Sequence, residues 1–364
     1  MLDSRKHAAF GSAPQRLAAL VGLPTLAEEM GVPLAEVLAG LPLDPSIFES
    51  DENRIPYGLA VQLLENATRL TKCPHFGLLL GARHDHRCMG AAGRWMQNAP
   101  TLEAALTGFI ALQSTATRGA TSYLHKHADH IIFGYGAYDR TALGHTQNYA
   151  VVIPMAHNIV RRLTGGKVTP VEVLFSFRKP VDARPYRDFF GVPVHFDQPQ
   201  SGLVLPHASL HAPVLGASPL DFDLLQNQAA AFMPQSGNAW SDKVRRCLRT
   251  SLLRGEATAP QVAARIGLQA KTLSRHLAAE GTGFKQLLAE VRCGAAQELL
   301  AVTDLALGDI ALALGYANQP AFNDAFKRWS GVTPGSWRET WHAGRNTQRS
   351  GSYITRPIEK PVAR

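Results

Sequence analysis

Gly315-Tyr-Ala-Asn-Gln-Pro-Ala-Phe-Asn-Asp-Ala-Phe-Lys-Arg-Trp329, or GYANQPAFNDAFKRW, reads as a turn followed by a helix. Gly315 suits the turn, Asn318 is a good acceptor for a free amide at a helix start, and Pro320 falls in the first turn, where its missing N–H costs nothing. Phe322 and Phe326 lie one helical turn apart and face one side. Just upstream, Ile310, Ala311 and Leu314 form the apolar face of a preceding helix. Helix, glycine turn, helix is a plan whose second helix can enter a DNA major groove about 12 Å wide. The unit has a forerunner. Thr258-Ala-Pro-Gln261 has the form of a capping box, with Thr258 accepting from an amide three residues on and Gln261 reaching back. Val262, Ala263 and Ile266 then make an apolar face, Gly267 permits a turn, and Leu273 and Leu277 continue the core in a second helix.

Charge agrees with that reading. Residues 241–364 hold 18 of the 37 Lys and Arg but 10 of the 29 Asp and Glu, so the whole net excess of +8 lies in the last third. A neutral body joined to a basic region suits docking on phosphates, because neutralising phosphates releases counterions; a merely soluble basic surface gives the same totals. At 364 residues the chain is long for one core and suits two domains. An apolar content of 45% with 18% charged residues excludes global disorder. Cys73, Cys88, Cys247 and Cys293 show no CxxC spacing and read as reduced thiols of a cytoplasmic protein. No apolar run approaches the roughly 18 residues of a membrane span, and Pro24 with Glu28-Glu29 argues against a secretory signal.

Residues 1–14 read as a disordered tail and 15–233 as an α+β domain. Its first part, to about 110, is expected to be helical: Leu59, Leu63 and Leu64 share a face, and a helix begins after Pro100. A hairpin is expected from Thr121–His127 and Ile131–Tyr135, then a helix near 143–163 that Pro154 can kink, and strands at Val171–Phe177, Gly191–Phe196 and Gly202–Leu205. Residues 234–240 read as a linker, 241–341 as an all-α domain, and 342–364 as a disordered basic tail.

At this level of detail the chain resembles the AraC/XylS family of transcription regulators. Ile310-Ala-Leu-Ala-Leu-Gly-Tyr316, Phe322-x-x-x-Phe326-Lys-Arg328 and Gly331-Val-Thr-Pro334-Gly-Ser-Trp-Arg338 match its C-terminal signature. Phe76-Gly-Leu-Leu-Leu-Gly81, Met89-Gly-Ala-Ala-Gly93 and Pro100-Thr-Leu-Glu-Ala-Ala-Leu106 resemble its arabinose-binding-type sensor domain. The resemblance implies an α+β N-terminal sensor domain followed by an all-α C-terminal domain with two helix-turn-helix units, joined by a rigid helix from about Gly283 to Leu300. Each unit would place one helix in successive major-groove segments about 34 Å apart. Carried over residue by residue, the DNA-binding positions fall on Lys271, Thr272, Ser274 and Arg275 in the first reading helix. In the second they fall on Asn318, Gln319, Ala321, Asn323, Asp324, Lys327 and Arg328. The resemblance also implies double-stranded DNA, RNA polymerase and a small-molecule effector as partners, a homodimer, a cytoplasmic, nucleoid-associated location, and neither cofactor nor enzymatic activity.

Asp324 stands out, since the family commonly has arginine there. A carboxylate can accept only from a cytosine amino group and is repelled by phosphates. It reads a cytosine, it pairs with Lys327 or Arg328 at helical spacing, or the second unit is the weak reader. Gln269 and His276 also depart from the family, which favours a serine cap and an arginine at those places.

Other candidates are weaker. His84-Asp-His86 and the set His125, His127 and His130 can be spaced as metal ligands, but without acidic or cysteine partners they read as exposed polar strand and turn residues. His157, with Gln147 and Asn148, can face an effector or simply fill a core; Arg94 and Trp95 share that ambiguity. GxSxG, P-loop, HExxH and GxGxxG patterns are absent. The competing class is a metal- or small-molecule-processing enzyme fused to a helix-turn-helix module.

Overall fold

The computed structural model describes residues 13–139, 146–232 and 239–348. Strands β1 (Pro14–Arg16) and β2 (Arg54–Pro56) pair antiparallel, with helices α1 (Leu23–Glu29) and α2 (Leu34–Leu38) between them in sequence. Four helices follow: α3 (Tyr57–Leu70), α4 (Phe76–Ala82), α5 (Ala91–Asn98) and α6 (Leu102–Ala116). Then come β3 (Ala120–Lys126), β4 (His130–Ala137), α7 (Gln147–Leu163), β5 (Glu172–Leu174), α8 (Arg184–Phe190), β6 (Val194–His195), β7 (Ser201–Pro206) and α9 (Pro219–Phe232). The five later strands form one sheet in the order β3-β4-β7-β5-β6, antiparallel except for β5 with β6.

Alternation decides which face of the sheet is core. Ile131, Phe133 and Tyr135 of β4 and Leu203 and Leu205 of β7 pack with Leu59 and Leu63 of α3, Leu106 of α6 and Ile153 and Ile159 of α7. Helices α4 and α7 touch backbone to backbone: a Cβ on Gly77 or Gly81 would strike the carbonyl oxygens of Gln147 or Val151. Glycine spacing in Phe76-Gly-Leu-Leu-Leu-Gly81 is thus a packing requirement. Beside β5 and β6, Phe175, Phe177, Tyr186, Phe190 and Phe196 form an aromatic cluster.

The C-terminal domain is entirely helical among its described residues: α10 (Trp240–Leu252), α11 (Ala259–Arg265), α12 (Ala270–Ala279), α13 (Phe284–Val302), α14 (Leu307–Ala313), α15 (Gln319–Ser330) and α16 (Pro334–Gln348). Two small cores divide it. Val244, Leu248, Val262, Leu273, Leu277 and Leu287 form the first; Ala296, Leu300, Ile310, Leu314, Phe322 and Phe326 form the second. Helix α13, 19 residues and so about 28 Å long, supplies its first half to one core and its second half to the other. Its last residues, Ala301 and Val302, are buried in the core of the N-terminal domain. There Arg178 donates from its backbone to Val302 O (2.7 Å) and from its guanidinium to Ala301 O (3.2 Å) and Thr303 O (3.0 Å).

Several expectations need correction. The region before residue 110 is not wholly helical: Pro14–Arg16 and Arg54–Pro56 are too short to show a period, and each finds its backbone partners in the other. Pro14, expected in a disordered tail, begins β1; residues 1–12 lie outside the described ones. The strand expected over Val171–Phe177 is confined to Glu172–Leu174, with Phe175 turned into the aromatic cluster, and that over Gly191–Phe196 to Val194–His195. Helix α16 continues beyond Trp341 to Gln348, because Trp341 stacks on Trp337 at 5.2 Å and so is inside a packed helix instead of at its end. Residues 349–364, residue 233 and residues 234–238 of the expected linker lie outside the described residues, and Trp240, expected at the end of that linker, instead begins α10. His84, His86 and His125, read as exposed, are 7%, 4% and 4% accessible, because neighbouring helices cover them.

Candidate nucleic-acid interface

Both helix-turn-helix units turn on a glycine in the left-handed region, Gly267 and Gly315, each at φ of 75°. Capping differs. In the first unit, Thr258 and Gln261 form the capping box of α11, whereas Gln269 makes no side-chain cap for α12. In the second, Ala321 N donates to Asn318 Oδ1 at 2.9 Å, fixing the start of α15.

Helix α12 buries Leu273 and Leu277 and presents Lys271, Ser274 and Arg275 to solvent, with Thr272 half-buried beside them. Neither Lys271 nor Arg275 forms an ion pair within the described residues. Both cations are therefore open to a polyanion. His276, where the family favours arginine, stacks on Trp240 (4.5 Å between centroids, 16° between planes). Trp240 in turn carries Lys243 at 4.2 Å, and Glu280 accepts from the amides of Trp240 and Ser241 at 2.6 and 3.0 Å. Burial opposes ionisation of Glu280, but those amides outweigh it and hold its carboxyl below the usual range. Helix α12 is thus pinned to the start of α10 through its second half, at His276 and Glu280.

Helix α15 buries Phe322, Ala325 and Phe326 and exposes Gln319, Ala321, Asp324, Lys327 and Arg328 along one stripe. Asn318 is exposed but occupied by capping. Asn323 lies at the edge of the stripe, half-buried, with its Oδ1 enclosed and unbonded. Asp324 faces solvent, and the expected pairing with Lys327 or Arg328 is not formed. Among the described residues the exposed faces therefore differ in charge: Lys271 and Arg275 on α12, against Asp324 together with Lys327 and Arg328 on α15. Arg292 of α13 braces the second turn, lying 4.7 Å over the Tyr316 ring and donating to Gly315 O at 3.4 Å.

Sequence reasoning missed the joint between the domains. Arg249 of α10 is 5% accessible and Glu298 of α13 is 7% accessible, their charged ends 3.6 Å apart. Arg249 Nε donates to Ala137 O at 2.8 Å, Tyr149 OH donates to Glu298 Oε1, and Ala137 N donates to Tyr149 OH at 3.2 Å. Burial raises the Glu298 carboxyl above its usual range, with Arg249 and Tyr149 opposing. The signal was present as a lone charge in the apolar run Gln297-Glu-Leu-Leu-Ala-Val302. Gln147, Asn148 and His157 all lie on α7: Gln147 accepts from Gly77 N (2.8 Å), Asn148 donates to Tyr57 and Tyr135, and His157 is enclosed by Phe189 and Phe190. Trp95 packs on Phe222 at 4.8 Å. Among the described residues no three His, Cys, Asp or Glu side chains converge as a metal site, and no helix is long and apolar enough to cross a membrane.

Two glycine-turned helix pairs on one connecting helix, each exposing a polar face, define a DNA-binding protein of the helix-turn-helix class. Residues 31–214 match the arabinose-binding domain found at the N-terminus of AraC transcription regulators, and residues 262–340 match a helix-turn-helix domain. The chain belongs to the AraC family of transcription regulators, and it is a DNA-binding transcriptional regulator. It is similar to the ornithine utilization regulator of Pseudomonas aeruginosa, 29% identical over 318 residues that cover 86% of this chain and 93% of that one. The regulator VirS of Mycobacterium tuberculosis is 28% identical over 325 residues, 88% of this chain and 94% of that one. Among solved structures, that of the transcriptional regulator CdpR from Pseudomonas aeruginosa aligns over 86% of this chain and 98% of that one, at 23% identity and a TM-score of 0.39.

Proposed function

We propose that this regulator responds to a small-molecule effector and reads two adjacent major-groove segments, with the first helix-turn-helix unit supplying most of the specificity. The carrying observation is the contrast between Lys271 and Arg275, exposed and unpaired on α12, and Asp324 at the centre of the α15 face. In this reading Lys271, Ser274 and Arg275 reach base edges, Thr272 positions the helix, and the second unit contributes Asn318, Gln319, Ala321, Asn323 and the Lys327-Arg328 pair. Residues 15–233 act as sensor and dimerisation domain and 241–341 as the reading domain. The protein works as a cytoplasmic, nucleoid-associated homodimer that contacts RNA polymerase and has no enzymatic activity. Effector binding shifts the geometry of the two reading domains, with a coupling of about 1–3 kcal/mol.

Fluorescence anisotropy of the full chain on duplex DNA, repeated from low to high salt, tests this. The expected result is an affinity that falls with salt and a selected duplex bound at least about a thousandfold more tightly than an unrelated one. Affinity that ignores both salt and sequence would sink the reading.

A further inference from the structure

The sensor domain encloses a cavity of about 70 Å³ between residues 15–20, α6, the β3–β4 hairpin and α7. That is several times the 10–15 Å³ or so that one water requires. Most of the wall is apolar, with Phe109, Phe133, Met155 and Ile159 facing the space. One side is polar and incompletely satisfied. Gln113, 6% accessible, accepts from Ser122 N through Oε1 at 2.6 Å, while its Nε2 donates to no described group. Ser122, 3% accessible, has no bond to its hydroxyl, and Asn148 donates Nδ2 to Tyr57 and Tyr135 but leaves Oδ1 unpartnered. Polar atoms without a protein partner on a cavity wall are completed by whatever occupies the cavity, water or a ligand. Arg16 is the charged group in the wall, and its guanidinium is already bound to Asp51, Glu52 and Met89 O. No charge is left over for an ionic ligand.

We propose that this cavity is the effector site, and that its ligand is a small uncharged molecule with an apolar body and one hydroxyl- or amide-like head bonded by Gln113, Ser122 and Asn148. The inference rests on the sensor reading of this domain. It also supplies a route for the signal. Asn148 and Tyr135 form the polar wall; Tyr149, next in sequence and 5.8 Å edge-on to the Tyr135 ring, bonds Glu298 of the connecting helix α13. A head group that reorients Asn148 acts one residue away from the joint that fixes the reading domain.

The test uses benzyl alcohol, toluene and benzoate as probes, with binding to the full-length protein followed by calorimetry and thermal shift. Benzyl alcohol should bind more tightly than toluene, and benzoate weakest. Ala156→Leu fills the cavity and should abolish the alcohol's binding while circular dichroism stays unchanged; Ser122→Ala, a milder change, should weaken the alcohol about three- to tenfold and leave toluene alone. Benzoate binding best, equal binding in Ala156→Leu, or no binding of any probe to the folded wild type overturns the proposal. Cavity binding without any change in operator affinity would instead sink the effector reading on which it rests. An operator response that survives Ala156→Leu would keep that reading and remove this site.

Discussion

Replacing either member of the buried Arg249–Glu298 pair should destabilise the protein, but with different pH signatures. Glu298→Met leaves a guanidinium, which cannot neutralise itself, buried with only uncharged partners, Ala137 O and the Tyr149 hydroxyl. Stranding one member of a buried pair costs about 3–5 kcal/mol, and here the cost should not depend on pH. Arg249→Met strands a carboxyl instead, and a carboxyl can take a proton. Burial already raises Glu298, and removing Arg249, which opposes that rise, raises it further. A group with a raised folded-state pKa keeps its full stability below the unfolded value and loses it as pH rises through the folded one. The Arg249→Met deficit relative to wild type should therefore shrink by up to about 2.7 kcal/mol between pH 7.5 and 5.5, two units at about 1.36 kcal/mol each. Urea unfolding at both pH values, followed by circular dichroism, measures both deficits. Two equal, pH-independent deficits, or a Glu298→Met cost below about 1 kcal/mol, would refute the reasoning.

Further outcomes follow from the same geometry. Arg275→Ala should cost about 1–3 kcal/mol in DNA affinity and relax the preference at one base pair, as read by anisotropy on a panel of single-base variants; uniform weakening would assign Arg275 to the phosphates. Asn318→Ala removes the acceptor for Ala321 N and should lower stability by about 1 kcal/mol in thermal or urea unfolding, with no loss expected if the cap is idle. His125 and His157 are both pushed down to about 4, chiefly by burial, with Arg254 and Arg161 adding to it. The unfolded chain binds their protons near pH 6.5 and the folded one does not, so stability falls as pH drops from about 6.5 to 4, by up to about 3.4 kcal/mol per histidine. His125→Gln should flatten part of that slope, and an unchanged slope would mean His125 is not the group responsible.

The reading domain was legible because its information is local. Glycine turns, caps and phenylalanines one turn apart act over a few residues, and Gly267, Gly315, Thr258 and Asn318 do in the structure what their types suggest. The hairpin around Asp129 was legible for the same reason: strand composition with a turn between. What sequence hid was non-local. Arg249 and Glu298 lie 49 positions apart and meet only because α10 and α13 both dock on β4 and α7. The strand and turn histidines looked like surface groups because nothing in such a sequence shows that α10 will cover His125. Short strands such as β1, with three residues, carry no period to detect. The cavity has the same origin: Gln113, Ser122 and Asn148 belong to a helix, a strand and another helix, and only packing brings their unsatisfied atoms to one wall.

The account stands or falls on whether the first helix-turn-helix unit dominates DNA reading and Asp324 weakens the second. Selection of bound duplexes from a random pool, with the full-length wild type and with Asp324→Arg, measures this directly. The wild type should enrich one well-defined half-site, and Asp324→Arg should add a second conserved block about one helical turn away. A wild type that already enriches two blocks, the second carrying a cytosine lost in Asp324→Arg, would make Asp324 a base reader, and a pool with no enrichment at any salt would contradict the account as a whole.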